Sequence, residues 1–207
     1  DGSFNIGTGA DGIVEQVLQQ PDGKILICGN FTTFNGQPKA YIARLNNDGS
    51  VDASFTAGLG YWTRHMALQS DGRIVIGGYF TTVEGQKRNR IARLNPNGSL
   101  DTSFNVGAGL EGVLGVAVDG NPDPFVMWCE VLPTGRILAV GNFTNYNTTQ
   151  AWGIIAIKPD GSRDTSFDIG GTGLDSWGRV IKPLANGQIM VGGWFQNYRG
   201  KNSNRIV

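Results

Sequence analysis

An all-β chain of repeated antiparallel units is what this sequence predicts, and three observations predict it. The stretch PDGKILICGNFTTFNGQPKAYIARLNNDGSVDASF at 21–55 recurs four times in recognisable form. It aligns Gly23, Gly72, Gly135 and Gly187, which are followed at a constant spacing by Phe31, Phe80, Phe143 and Phe195. Seven hairpin-type turns separate short apolar runs. The 32 glycines and 8 prolines follow no collagen period and fit a turn-rich β protein rather than a disordered one. A four-stranded antiparallel unit of about 50 residues cannot bury both its faces alone, so such units pack radially as the blades of a β-propeller or stack as a solenoid. Tight hairpins joining four strands per unit favour the propeller.

The repeats are bounded at about 5–55, 56–104, 105–167 and 168–207, one propeller domain over 1–207 or part of a larger ring. Residues 1–4, DGSF, match the repeat end seen as DASF at 52–55 and DTSF at 101–104 and 164–167. They are expected to act as a closing strand for the last repeat, which stops at Val207 inside its third strand. Within the first repeat the strands are expected at about 13–19, 24–31, 40–46 and 50–55.

Turn chemistry supports this order. Pro21-Asp22-Gly23 has counterparts ending in Gly72, Gly135 and Gly187, and Asn47-Asp48-Gly49 has counterparts ending in Gly98 and Gly161. Each suits a three-residue hairpin loop in which glycine supplies the left-handed last position. That loop length places Arg44 opposite Asp52 and Arg93 opposite Asp101, cross-strand charge pairs that specify register. In the third repeat Ala156 stands opposite Asp164, so the pair is lost there.

Bulk charge restricts the partners. Seventeen basic and seventeen acidic residues leave no general field to draw in nucleic acid or an anionic membrane. No apolar run approaches the ~18 residues of a membrane span. Cys28 and Cys129 sit in apolar strand-like runs and read as buried thiols, not as a disulfide or zinc site.

The wording PDGKILICGNFT, IARLNNDGS and DASF resembles the delta-60 repeat family of bacterial and phage-associated proteins, which are taken to form β-propellers. The resemblance spans nearly the whole chain; the third repeat keeps TGRILAVGNFT but has IIAI for IARL, and the fourth has NGQIMVGGWFQ. It implies a propeller commonly of more than four copies, no catalytic activity, no fixed ligand, and an extracellular, cell-surface or virion setting.

The long connections share one face of such a fold, and that face is where binding is expected. Aromatic candidates there are Tyr61, Trp62 and Trp177, in connections entering a repeat, with Tyr146 and Tyr198 after second strands; exposed rings of this kind stack on sugars, but Tyr146 and Tyr198 share a recurring apolar position with Phe34 and Val83, which points to packing. Asp119, Asn121 and Asp123 alternate like the first ligands of a calcium loop, with Glu130 at its twelfth position. Pro124 occupies the place of the sharp-turn glycine, so a solvated turn is the expectation and Ca2+ the alternative; no other cofactor is expected. His65 is the only histidine, with no nucleophile or carboxylate pattern around it.

These features point to a non-enzymatic interaction module that binds protein or glycan through its long-loop face. A structural component of a particle or filament is the alternative from another class, and a propeller lyase or glycosidase is the third.

Overall fold

The computed structural model describes residues 3–114, 123–167 and 173–207. Among them every regular element is a β-strand, and no helix is long and apolar enough to cross a membrane. The first repeat forms an antiparallel sheet of Ile13–Gln19, Ile25–Asn30 and Ile42–Leu45, in that spatial order. The second uses Thr63–Leu68, Ile74–Gly78 and Ile91–Leu94, and the third Phe125–Val131, Ile137–Asn142 and Ile154–Ile157. The fourth pairs Gly178–Pro183 with Ile189–Gly193, and Ile206 bridges to Gly192 where a third strand begins.

The hairpins follow the turn chemistry. Gly23 and Gly98 lie at φ +88° and +93°, and the N–H of Gln20 donates to Lys24 O across the three-residue loop. Arg44 and Asp52 are paired as the loop length requires, with Asp52 N–H donating to Arg44 O.

The expected fourth strand is a correction. Residues 50–55 contribute a single bridge, Leu45 to Val51, and the other repeats show the same with Leu94 and Leu100, and with Ile157 and Arg163. The cause is local: the Asp52 carboxylate accepts both the N–H and the hydroxyl of Ser54, and Phe55 N–H donates to Asp52 O. A side chain that satisfies the backbone ahead of it turns the chain out of the ladder. Among the described residues the sheets are therefore three-stranded at most, and the first three repeats each end in an Asp-x-Ser turn.

A second departure lies in the long connection after the second strand. Asn35-Gly36, both at positive φ, closes a small hairpin of Thr33–Phe34 and Gln37–Pro38, as Asn-Gly turns do. The segment entering each repeat bridges to this hairpin: Ala10 to Phe34, Leu59 to Val83, and Leu174 to Tyr198. The long-loop face thus carries a built layer rather than free loops.

Neighbouring repeats are joined twice. The chain leaving one Asp-x-Ser turn passes the next hairpin, where Thr56 N–H donates to Asn97 O and Asn105 N–H to Asp160 O. Arg44 and Arg93 reach across as well, donating to the carbonyls of Pro96 and Pro159. Between the sheets, Leu26 and Cys28 of the first repeat pack with Met66, Ile74 and Ile76 of the second. Ser3 and Phe4 form no strand, and Phe4 is 42% exposed where Phe55 and Phe104 are each 1% exposed. The closing strand expected at 1–4 is not formed by these two residues.

Candidate functional site at the axial mouth

The first strands lie side by side, and each carries one β-bulge at the same place. Glu15, Arg64, Met127 and Arg179 are the unpaired residues, followed by Gln16, His65, Trp128 and Val180. A bulge re-aims the side chain it carries. Here the eight residues line one pocket of about 290 Å³, close to the end where the long connections enter.

Its wall is rigid. Arg64 Nη1 lies 2.7 Å from Glu15 Oε1, and the Arg64 guanidinium sits 4.7 Å over the Trp62 ring. Gln16 donates from its amide nitrogen to Met66 O and accepts Met66 N–H at its amide oxygen. The rings of His65 and Trp128 stack at 3.9 Å, and Cys129 N–H points at His65 Nδ1. Burial pushes His65 down to about 4, so the imidazole is neutral at ordinary pH. Burial likewise raises the thiols of Cys28 and Cys129 well above their usual range, and both are free cysteines.

The aromatic candidates separate. Tyr61 is 48% exposed and meets Tyr41 at a tilt, and Trp62 is half-buried and stacked against Tyr79. Trp177 is 3% exposed, its ring meeting Phe125 edge-on at 5.6 Å, so it offers no open face. Tyr146 is also buried, its hydroxyl donating to Gly161 O, and Tyr198 is half-buried. The exposure expected of Trp177 is therefore corrected, because Phe125 of the neighbouring repeat packs on its ring, whereas Tyr146 is packed within its own repeat, paired with Leu110, as its recurring apolar position leads one to expect. Of the calcium-loop candidates, Asp119 and Asn121 lie outside the described residues, and Asp123 lies within them. Among the described residues no group of three His, Cys, Asp or Glu side chains is placed to hold a metal ion.

A cavity of about 550 Å³ is on the opposite, short-turn side, between Leu132–Arg136, Lys158–Pro159 and Pro183–Ile189. Elsewhere the next repeat's second hairpin lies at this place, as Pro96 does beside Arg44. The fourth repeat contributes no such hairpin within this chain.

The profile of a β-propeller domain of unknown function, DUF5122, matches residues 20–55, 69–104, 132–167 and 184–207. The chain belongs to this β-propeller family. No curated protein matches it. Each matched segment of the propeller runs from the turn before a second strand toward the Asp-x-Ser end. Glu15, Arg64, Met127 and Arg179 all fall outside the matched segments. The family pattern thus covers the scaffold of each blade, while the residues that line the axial mouth are particular to each copy. Sequence reasoning passed over them because the first strand is where the repeats agree least; that disagreement was the available signal.

Proposed function

We propose that this propeller is a non-enzymatic interaction module that binds a protein or glycan through its long-loop face, centred on the axial mouth. One observation carries the reading: equivalent bulges in four blades bring side chains of three kinds, a carboxylate from Glu15, guanidiniums from Arg64 and Arg179 and a thioether from Met127, to a single pocket. A structural repeat would need no such variety, whereas recognition of an asymmetric ligand does. A glycan fits the mix of carboxylate, guanidinium, amide and stacked ring, because sugars present hydroxyls at their edges and an apolar face to aromatics. The buried neutral His65 and the buried thiols support a binding role over a catalytic one. A cell-surface, secreted or phage-particle setting follows from the delta-60 resemblance and belongs to this proposal.

The test is binding of the chain to an array of acidic and neutral glycans. Arg179→Ala and Tyr61→Ala, both at exposed positions, should each weaken binding about tenfold, corresponding to ~1.4 kcal/mol per contact. Asn186→Ala on the short-turn face should leave it unchanged. Equal binding by all variants would remove the long-loop face from consideration, and no binding to any glycan would sink the glycan reading.

A further inference from the structure

The junction between the first and second blades is built differently from the one that follows it. Where the chain enters a blade it is tied to a hairpin, Thr56 N–H donating to Asn97 O and Asn105 N–H to Asp160 O. From there it runs to the residue that meets the small hairpin, Leu59 at Val83 and Leu110 at Tyr146. Four residues stand between Asn105 and Leu110, and two between Thr56 and Leu59. At the second junction Val106 is fully buried and Leu110 N–H donates to Asn89 O, as Leu174 N–H does to Trp152 O at the third. At the first, Ala57 is only half-buried, and Leu59 and Ala40, in the places of Leu110 and Asn89, are not joined to each other.

The shorter segment and the small Ala40 leave a pocket of about 420 Å³ between the small hairpin of the first blade and the chain entering the second. At the place of Ala40 the second junction has Asn89, which is buried and donates to Glu111. The volume lies within the ~300 to 1,000 Å³ of small-molecule sites. Pro38, Ile42 and Ala57 supply apolar lining, Lys39 an ammonium from the first blade and Glu84 a carboxylate from the second. Lys39 Nζ donates to Phe55 O at 3.0 Å, which leaves two of its three N–H groups. Asn35 and Asn147, at the place of Glu84 in other blades, each accept an N–H of the entering segment, from Thr8 and Ala108. The shorter segment has no residue for that bond, so the Glu84 side chain is released from it. Among the described residues neither Lys39 nor Glu84 makes an ion pair.

We propose that this pocket binds a short peptide with free ends, a dipeptide with an apolar side chain. Its carboxylate lies on the Lys39 ammonium and its amino group on the Glu84 carboxylate. Its peptide unit supplies the donor and the acceptor that Ala40 O and Leu59 N–H do not find in each other, and its side chain covers Ile42 and Ala57. A cation and an anion contributed by two blades select a ligand that carries both charges. A neutral sugar offers neither charge, and a single amino acid offers both but no peptide unit. The pocket shares no residue with the axial mouth, so this second site stands apart from the glycan reading.

Titration calorimetry of the 207-residue chain with alanyl-leucine should give a Kd of about 1 mM or tighter. N-acetyl-alanyl-leucine, alanyl-leucinamide and free leucine should each bind at least about tenfold more weakly. Glu84 is exposed and Lys39 half-buried, so Glu84→Gln and Lys39→Gln should keep the circular dichroism of the parent chain. Glu84→Gln should bind the free and the acetylated peptide alike, and Lys39→Gln should bind the free acid and the amide alike. The proposal is overturned by no binding of alanyl-leucine at about 10 mM, by capped peptides or leucine binding as tightly as the free dipeptide, or by variants that keep the parent's discrimination. Arg179→Ala should leave dipeptide binding unchanged and Glu84→Gln should leave the glycan arrays unchanged, so either proposal can fail without the other.

Discussion

Arg136 Nη2 lies 2.5 Å from Asp164 Oδ2, and this contact replaces a pair that the third blade has lost. In the first two blades Asp52 and Asp101 are held by Arg44 and Arg93, each at 2.7 Å from the third strand. Ala156 occupies that place in the third blade, and the cation comes instead from the start of the second strand. Lys24 and Arg73 stand at the same position and also reach Asp52 and Asp101, at 2.7 and 3.4 Å. The first two blades thus have two cations on the turn carboxylate and the third has one. Arg136→Ala should therefore destabilise the protein more than Arg73→Ala. Urea denaturation should show a gap of about 1 kcal/mol or more, because only the first leaves a buried carboxylate without a cationic partner.

Gly98 tests the inter-blade contacts. It lies at φ +93°, and an added Cβ would stand 2.7 Å from Thr56 O of the strand crossing from the blade before. Gly85 lies at φ +72° with nothing within 4 Å of the same position. Both substitutions incur the left-handed backbone penalty of ~1 to 2 kcal/mol, but only one also collides with backbone. Gly98→Ala should cost at least ~1 kcal/mol more than Gly85→Ala in thermal or urea unfolding. Equal costs would show that the crossing strand moves freely.

His65 sets a pH dependence whose sign is fixed. Its folded pKa, lowered by burial to about 4, lies below the ~6.5 of an unfolded histidine. The unfolded chain therefore binds the extra proton between these values, so this contribution is complete above about pH 6.5 and falls as the pH drops toward 4. Between pH 7 and pH 5 the loss should reach about 2 kcal/mol, measured as a shift of the urea midpoint. His65→Gln should flatten that slope. Below about pH 4 a further decline should remain in the variant. There the burial of Asp52 and Asp101 is outweighed by hydrogen bonds from Lys24 and Ser54 to the first and from Ser103 and Arg93 to the second, which hold both carboxylates below the usual range.

What the sequence determined by itself was local and repeated. Turn residues such as Pro21-Asp22-Gly23 encode their own backbone angles, and a three-residue loop dictates which residues face each other, so Arg44 and Asp52 were legible from spacing alone. Burial of the recurring Phe31, Phe80, Phe143 and Phe195 followed from the same repetition. Only the tertiary structure decided what depends on a neighbouring blade. Trp177 is buried because Phe125 of the neighbouring blade packs on it, and residues 50–55 leave the ladder because Asp52 captures Ser54. Glu15, Arg64, Met127 and Arg179 meet because bulges in four strands distant in sequence open on one pocket. Ile13, Val14 and Val17 are no more polar than the residues buried at their positions in later blades. They are exposed because no blade of this chain packs against them, a fact about neighbours that composition and spacing cannot carry.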